Sequence, residues 1–358
     1  MTLGSSVLKE KIMHLAIVGA GMAGLSAARE MRQRRPDLMI TIYEKSRGFG
    51  GRVATRRRDG FVFDHGAQVI KAPDASMEHL LTAELPIEEL RRMDRPVYVF
   101  HTDGTIAEGD PTLNAEPSWF YAGGLNRLGK LLAADLDVRL ETRIAALRRE
   151  AGSARWMLFD AQGAHVGTAD AVLLTPPAPQ TAEILAMSDF DPPLRDMLVR
   201  ELIHVPYRRC LTVTLAYNRP IERPFYALVN VDRQHPMAWL ALEHTKGPER
   251  CPSGHSLLIA QMAGHFSMQQ WDAPAEELAS AVIEIVSMAL GEDLRQPLWY
   301  DRQGWRYALP DGMANSAVLN TTQTGLFFAG DYTVGLGRIH LAIRSGQEVA
   351  GTIANWLQ

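Results

Sequence analysis

At 358 residues the chain is longer than a single hydrophobic core ordinarily serves, so two domains are expected, and 46% apolar with 22% charged residues is the balance of a soluble globular protein. A net charge of -4 excludes the global basic field of a nucleic-acid binder, and no run is long and apolar enough to span a bilayer. Two cysteines, Cys210 and Cys251, exclude a disulfide framework and a CxxC motif, so a reducing, cytoplasmic setting is expected, with no metal site.

Residues 1–11, MTLGSSVLKEK, read as a loose leader, with Met13 as an alternative start. The apolar run Leu15 to Ala28 follows Lys9 and Lys11 as a signal peptide would, but its spaced glycines have another explanation. "HLAIVGAGMAGLSAARE" is strand, tight turn and helix, with Gly19, Gly21 and Gly24 forming GxGxxG. The first glycine permits the turn, the second lets a pyrophosphate approach the backbone, and the third lets helix and strand pack closely. Ala23, Ala27 and Ala28 keep one helix face small, and the helix N-terminus offers N–H groups and positive dipole to a diphosphate. The next strand, "LMITIYE", ends in Glu44, about 20 residues after Gly24, where a carboxylate holds a ribose diol and repels a 2′-phosphate. At this point FAD and NAD both remain open.

The chain continues "KSRGFGGR", Lys45 to Arg52, in which Gly48, Gly50 and Gly51 make a second bare-backbone loop. Such a loop beside the first suits a long diphosphate ligand touched from two sides, with Arg52 neutralising phosphate charge. The following Arg56, Arg57 and Arg58 read as a solvated face. GxGxxG, Glu44 and Gly50-Gly51-Arg52 together resemble the FAD-binding entry of the monoamine oxidase and phytoene desaturase superfamily. The resemblance implies noncovalent FAD, contacted by Gly19, Gly21, Met22, Ala23, Gly24, Glu44, Lys45, Gly51 and Arg52 at this end.

In "FVFDHGAQ" the turn Gly66, Ala67, Gln68 would, by the same resemblance, pass close to the flavin ring with exposed N–H groups. "PVYVFHTDGTIAEG" is a hairpin turning at Asp103-Gly104, inside an insertion that breaks the alternation of strands and helices. Leu125, Leu128, Leu131 and Leu132 then restore a helix. "DVRLETRIAAL", "ARWMLFD" and "ADAVLLTPP" form a strand series. The resemblance puts Ile144 at the adenine edge and Pro176 beside the cofactor. Residues 205–306 are β-rich, with strands at "CLTVTLAY", "PFYALVN", "MAWLALE" and "SLLIAQM" and a helix from about Pro274 to Leu290. The last forty residues are strand, loop and long helix. Gly330 and Asp331 are placed for ribityl or diphosphate contacts, Gly335 and Gly337 for close approach to the ring, and Arg338 and Ile339 at the helix start near the flavin pyrimidine edge.

The expected architecture is α/β. A discontinuous Rossmann-like FAD-binding domain of the two-dinucleotide-binding-domain type (12–70, 119–204, 307–358) carries a β-rich α+β substrate domain (71–118, 205–306). "EKSRGFGGR", "TPPAPQTAEIL", "WLALEHTKGPER" and "GLGRIHLAIRSGQEVA" resemble the corresponding stretches of bacterial renalases. That likeness implies oxidation of dihydronicotinamide isomers by hydride transfer to flavin N5, with O2 taking the electrons to give peroxide. The partners are then a small-molecule substrate and O2. Leu242, Glu243, Gln261, His265 and Phe266 depart from the renalase pattern, and the changes at Leu242, Glu243 and Gln261 are expected to alter the pocket wall. Lys246, the only lysine of 205–306, sits beside a Gly-Pro loop, not on the strand where many amine oxidases place one. Pocket candidates are Trp239, Gln261, His265, Trp305 and Tyr307. The alternatives are an amine oxidase or desaturase of the same fold, a non-catalytic escort protein resembling the GDP-dissociation inhibitors, and an NAD-dependent dehydrogenase.

Overall fold

The computed structural model describes residues 13–320 and 324–358, so the leader at 1–11 lies outside the described residues. Five parallel strands form the first sheet, in the order Asp137–Arg139, Met39–Tyr43, His14–Val18, Ala171–Leu174, Leu326–Phe328. The continuous apolar runs LAIV, AVLL and LFF are explained by burial of both faces. Leu15, Ile17, Leu173 and Phe327 meet the helices Met22–Arg34 and Ile339–Trp356 on one side. Ala16, Val18, Val172, Leu174 and Phe328 meet the three-stranded meander Ile144–Arg149, Trp156–Asp160, His165–Ala169 on the other.

The second sheet has seven strands, in the order Trp299–Pro310, Tyr207–Tyr217, Ser256–Met262, Met237–Leu242, Ala227–Asn230, Val97–Phe100, Ile106–Glu108. Only the pair Ala227–Asn230 and Val97–Phe100 is parallel. Leu211, Val213, Leu215, Leu240 and Leu258 pack under the helix Ala275–Leu290, and Ala227, Ala241 and Ile259 on the other face meet Phe61 and Phe63. The insertion is shared between the two cores. Met77, Leu80, Leu81 and Leu85 join the first, while the hairpin closed by Gly104 (φ +89) extends the seven-stranded sheet.

The arginine run is the solvated face expected of it at Arg57 and Arg58, which are exposed, while Arg56 is half-buried. The run forms the strand Thr55–Arg58, in which Arg56 bonds Asp301 and Gln303, Arg57 bonds Gly123 O, and the Arg58 guanidinium lies 4.8 Å from the Trp299 ring centre. These side chains fasten the β-rich sheet to the first glycine-containing segments.

The terminal helices cross at Gly346, where a Cβ would overlap Ala23 O. In the same helix a Cβ on Gly351 would meet nothing within 4 Å. Overpacking typically costs about 1–3 kcal/mol, so Gly346→Ala is expected to lower unfolding free energy by roughly that amount. Gly351→Ala should raise it by about 0.5–1 kcal/mol through helix propensity. Denaturant unfolding of both variants checks the pair, and equal effects at the two positions would refute the crossing.

Candidate functional site

Gly19 ends its strand with φ +103, donates its N–H to Tyr43 O at 2.8 Å, and would place a Cβ 2.6 Å from Thr175 Oγ1. A Cβ on Gly24 would overlap Gly19 O, so the third glycine is required by helix–strand packing as expected. Beside Gly21 a Cβ would meet nothing within 4 Å, which leaves its backbone open to a ligand. Helix Met22–Arg34 begins there with no side-chain cap and no acid in its first turn, so its N–H groups and dipole are available to an anion. Pro176 follows the strand Ala171–Leu174 beside this turn, its carbonyl accepting from Thr181 Oγ1 at 2.8 Å.

Glu44 is buried at the mouth of the loop. Its Oε2 accepts from Ala20 N and its Oε1 from Ser46 N, each at 2.8 Å. A carboxylate has about four acceptor positions, so two remain for a diol. Thr142 N donates to Glu44 O at 2.8 Å, which brings the start of the meander and buried Ile144 to the same place. Lys45 turns aside to Gln180 Oε1 at 3.0 Å.

The second glycine loop lies against the first. Gly50 N donates to Ala20 O at 2.8 Å, and a Cβ on Gly51 (φ +59) would stand 3.5 Å from Gly21 Cα. Gly129 of the helix Asn126–Leu132 closes behind, where a Cβ would come 2.9 Å from Gly50 Cα. Arg52 Nη1 donates to Asp331 Oδ2 at 2.6 Å, Ala308 O at 3.0 Å and Tyr307 O at 3.2 Å. Buried Asp331 takes a second bond on Oδ1, from Tyr207 OH at 2.8 Å. Burial and the Asp331 charge push the Tyr207 phenol far above its usual range, so it donates as a neutral hydroxyl. Sequence reasoning missed Tyr207: an aromatic opening a long strand ordinarily reads as core, and its partner is 124 residues away.

Gly330 (φ +149) donates its N–H to Ser345 Oγ at 3.0 Å. At Gly337 a Cβ would press on Leu309 Cδ2, the free end of a flexible side chain, with its other neighbours at ordinary contact distance. Arg338 is exposed and precedes helix Ile339–Trp356, which also starts with no side-chain cap and no acid in its first turn.

The turn after Asp64 faces the seven-stranded sheet. Gly66 is pressed between Arg52 O, which a Cβ would overlap, and Trp305, whose Cζ2 would be 3.2 Å away. Ala67 N donates to Arg52 O at 3.0 Å, so this N–H is committed to the protein instead of exposed as expected. Buried Gln68 donates Nε2 to Asp64 O and Gly66 O. From the sheet, Gln261 Nε2 donates to Gly66 O at 2.6 Å and Trp305 Nε1 to His65 O at 2.9 Å. The rings of Trp305 and His65 stack at 5.4 Å, and Tyr307 lies edge-on to Tyr207 at 5.8 Å. Trp239 is paired in register with Gln261. Its indole is 6.1 Å from the Tyr226 ring, and its Nε1 is buried with no partner among the described residues.

The remaining pocket candidates separate from this group. His265 stands exposed on the short helix Gly264–Gln269, because the chain turns into helix after Met262 instead of continuing the strand. Leu242 is buried in the core under the sheet, and Glu243 is buried in ion pairs with Lys246 and Arg250, so neither forms a pocket wall. Lys246 is itself fully buried in the turn Glu243–Lys246, preceding the Gly-Pro pair.

Two long helices with free N-termini, an open glycine and a buried carboxylate with lone pairs to spare fit a dinucleotide such as FAD. Residues 111–354, more than half of the chain, match the flavin containing amine oxidoreductase family, and residues 17–83 match the NAD(P)-binding Rossmann-like domain. The 4,4'-diapophytoene desaturase (4,4'-diaponeurosporene-forming) of Staphylococcus haemolyticus is 40% identical over 62 residues, a stretch covering 17% of this chain and 12% of that protein. Cyclohexylamine oxidase from Brevibacterium oxydans IH-35A superposes with a TM-score of 0.75 at 14% identity, covering 97% of this chain and 99% of its own. Wild-type putrescine oxidase bound to putrescine does so with a TM-score of 0.73 at 16% identity, covering 96% and 99%. At those identities the likeness is one of fold. The chain belongs to the flavin containing amine oxidoreductase family.

A hydrogen bond to a charged group contributes about 1.5–3 kcal/mol, so Glu44→Ala is expected to weaken FAD binding about tenfold or more. Titration of the stripped variant with FAD measures this, and affinity equal to the parent protein would remove Glu44 from the site.

Proposed function

We propose that this flavin containing amine oxidoreductase holds FAD without a covalent bond and oxidises a reduced nicotinamide, the 2- or 6-dihydro isomers of NAD(P)H, as renalases do. FAD, when bound, supplies the hydride acceptor and returns the electrons to O2 as peroxide. Glu44 takes the adenosine ribose, with Lys45 and Ile144 beside it. The N-terminus of helix Met22–Arg34, including Met22 and Ala23, takes the diphosphate together with Gly51 and Arg52. Gly330, Asp331, Gly337, Arg338 and Ile339 take the ribityl and ring side, and Pro176 with the turn Gly66–Gln68 closes the ring edge. Trp239, Gln261, Trp305 and Tyr307 wall the substrate pocket and exclude water.

The observation that carries the reading is the chemistry of the sheet face opposite Gly66. Strand alternation places Trp305, Cys210, Thr212, Gln261 and Trp239 on that face. His65, packed on Trp305, has its pKa lowered to about 4 by burial and by Arg56, against a smaller opposing effect of Asp64. The Cys210 thiol is pushed up by burial to about 11. Lys246, the only lysine of 205–306, gives its Nζ to Asp64 and Glu243. The face thus offers no strong base at neutral pH among the described residues. Loss of a hydride from a dihydropyridine leaves an aromatic ring and needs none. Amine oxidation or desaturation stands as the second reading, favoured by the names of the neighbours and relatives. A small-molecule substrate and a cytoplasmic setting belong to the proposal. Among the described residues, no helix is long and apolar enough to cross a membrane.

Acid precipitation should release all of the yellow colour as FAD, since neither Cys210 nor Cys251 lies in the loop after Asp331. Colour left in the pellet would refute noncovalent binding.

Anaerobic mixing with the 2- and 6-dihydro isomers should bleach the flavin quickly, while ordinary 1,4-NADH, primary amines and polyamines bleach it slowly or not at all. Rapid reduction by an amine with inert isomers would move the chain to the second reading. With His65 neutral and Cys210 protonated throughout, bleaching by 6-dihydroNAD should vary by less than about threefold between about pH 5.5 and 8.5. A steep rise across that range would show that a base of the protein takes part.

A further inference from the structure

Behind the turn Gly66–Gln68 lie four charged side chains, Asp64, Glu243, Lys246 and Arg250, each 0% exposed. Two acids and two bases balance to zero. Asp64 Oδ1 accepts from Thr55 Oγ1 at 2.6 Å and Leu125 N at 2.8 Å, and its Oδ2 accepts from Arg250 Nη1 at 2.9 Å and Lys246 Nζ at 3.0 Å. All four acceptor positions of this carboxylate are filled. Glu243 Oε1 accepts from Arg250 Nη1 at 2.8 Å, Lys246 Nζ at 3.0 Å and Asp64 N at 3.2 Å, and Lys246 Nζ stands 2.8 Å from Oε2 as an ion pair. Arg250 Nη2 reaches Tyr121 O at 2.6 Å. The pairs join the segment before the turn to the end of the sheet strand Met237–Leu242, across 179 to 186 residues of chain.

Such an arrangement is a poor source of stability. Removing two acids and two bases from water offsets most of their mutual attraction, and apolar residues of the same volume would serve a core as well or better. What directional bonds supply that apolar contacts do not is a fixed position. The position fixed here is that of Asp64, two residues before the turn, whose carbonyl receives Gln68 Nε2. From the other side the sheet holds the turn through Gln261 on Gly66 O and Trp305 on His65 O.

We propose that the buried tetrad Asp64, Glu243, Lys246 and Arg250 is a positioning device that sets the turn Gly66–Gln68 against the substrate sheet, and with it the spacing between cofactor ring and substrate. The proposal rests on the functional reading above for its kinetic consequence and on the tetrad alone for its mechanical one. The four residues act through the turn and do not touch the reacting atoms. Hydride transfer demands a near-attack separation, and a misplacement of about 1 Å can cost about a hundredfold in rate.

The test uses the flavin-loaded protein and the charge-balanced double variant Glu243→Gln/Lys246→Met. Amide hydrogen exchange at Gly66, Ala67 and Gln68 is expected to speed up about tenfold or more, relative to amides of the central strand His14–Val18. The visible circular dichroism of the bound flavin should change. The rate of anaerobic bleaching by 6-dihydroNAD should fall about tenfold or more while the FAD dissociation constant moves less than about threefold. Unchanged exchange at the turn, or a rate loss that follows loss of FAD, would overturn the proposal. Arg250→Lys keeps the charge and removes the bond to Tyr121 O. It is read by the same measurements, so failure of the double variant to fold still leaves a decision. A parent protein that holds flavin but is not bleached by 6-dihydroNAD would defeat the functional reading and leave the exchange comparison standing.

Discussion

The site depends on the backbone and guanidinium of Arg52. Its carbonyl accepts Ala67 N, and its Nη1 reaches Asp331, Tyr307 O and Ala308 O. One residue therefore joins the second glycine loop, the turn against the sheet, the long edge strand Trp299–Pro310 and the loop before the last helix. A guanidinium suits the task because its N–H groups are planar, permanently charged and able to serve several acceptors at once. With the Asp331 charge matched by Arg52 and its second oxygen held by Tyr207, the carboxylate is satisfied in the protein interior.

Much of the fold was legible because its signals are local. GxGxxG, Gly50-Gly51 and the spacing to Glu44 are properties of short stretches, and Gly19, Gly24, Gly50 and Gly51 each answer to a positive φ or a close approach that favours a missing Cβ. Three strands of the parallel sheet, His14–Val18, Ala171–Leu174 and Leu326–Phe328, announced themselves as unbroken apolar runs, since both of their faces are covered. The alternation within the seven-stranded sheet likewise showed in "CLTVTLAY", while "SLLIAQM" is a nearly continuous buried run.

What escaped the sequence is what depends on distant partners. Tyr207 looks like any strand-opening aromatic until Asp331 is placed beside it. Glu243 looked like a change in the pocket wall because nothing nearby in sequence says that Asp64 and Arg250 converge on it. Half-buried Arg56 read as part of a solvated run, yet its partner Asp301 lies on an edge strand more than two hundred residues later. His265 was misplaced for a different reason. The segment after Met262 had no strong breaker, and helix Gly264–Gln269 is set by tertiary contacts, with Ser267 Oγ accepting from Leu211 N at 2.9 Å. Local propensity seldom decides elements that short.

The glycines also divide the labour of the site in a way that composition alone does not show. At Gly19, Gly24 and Gly66 the space a side chain would need is already occupied by the protein, by Thr175, Gly19 O and Arg52 O respectively. These glycines shape the scaffold, and a substitution there would be felt with or without a ligand. Gly21 is of another kind, since no atom outside its immediate chain neighbours lies within 4 Å of where its Cβ would be. Its smallness has no use within the polypeptide, and it sits at the free N-terminus of a thirteen-residue helix, next to an open carboxylate. A position that is glycine for no internal reason, at the point where backbone N–H groups and helix dipole converge, is where the fold leaves room for a diphosphate.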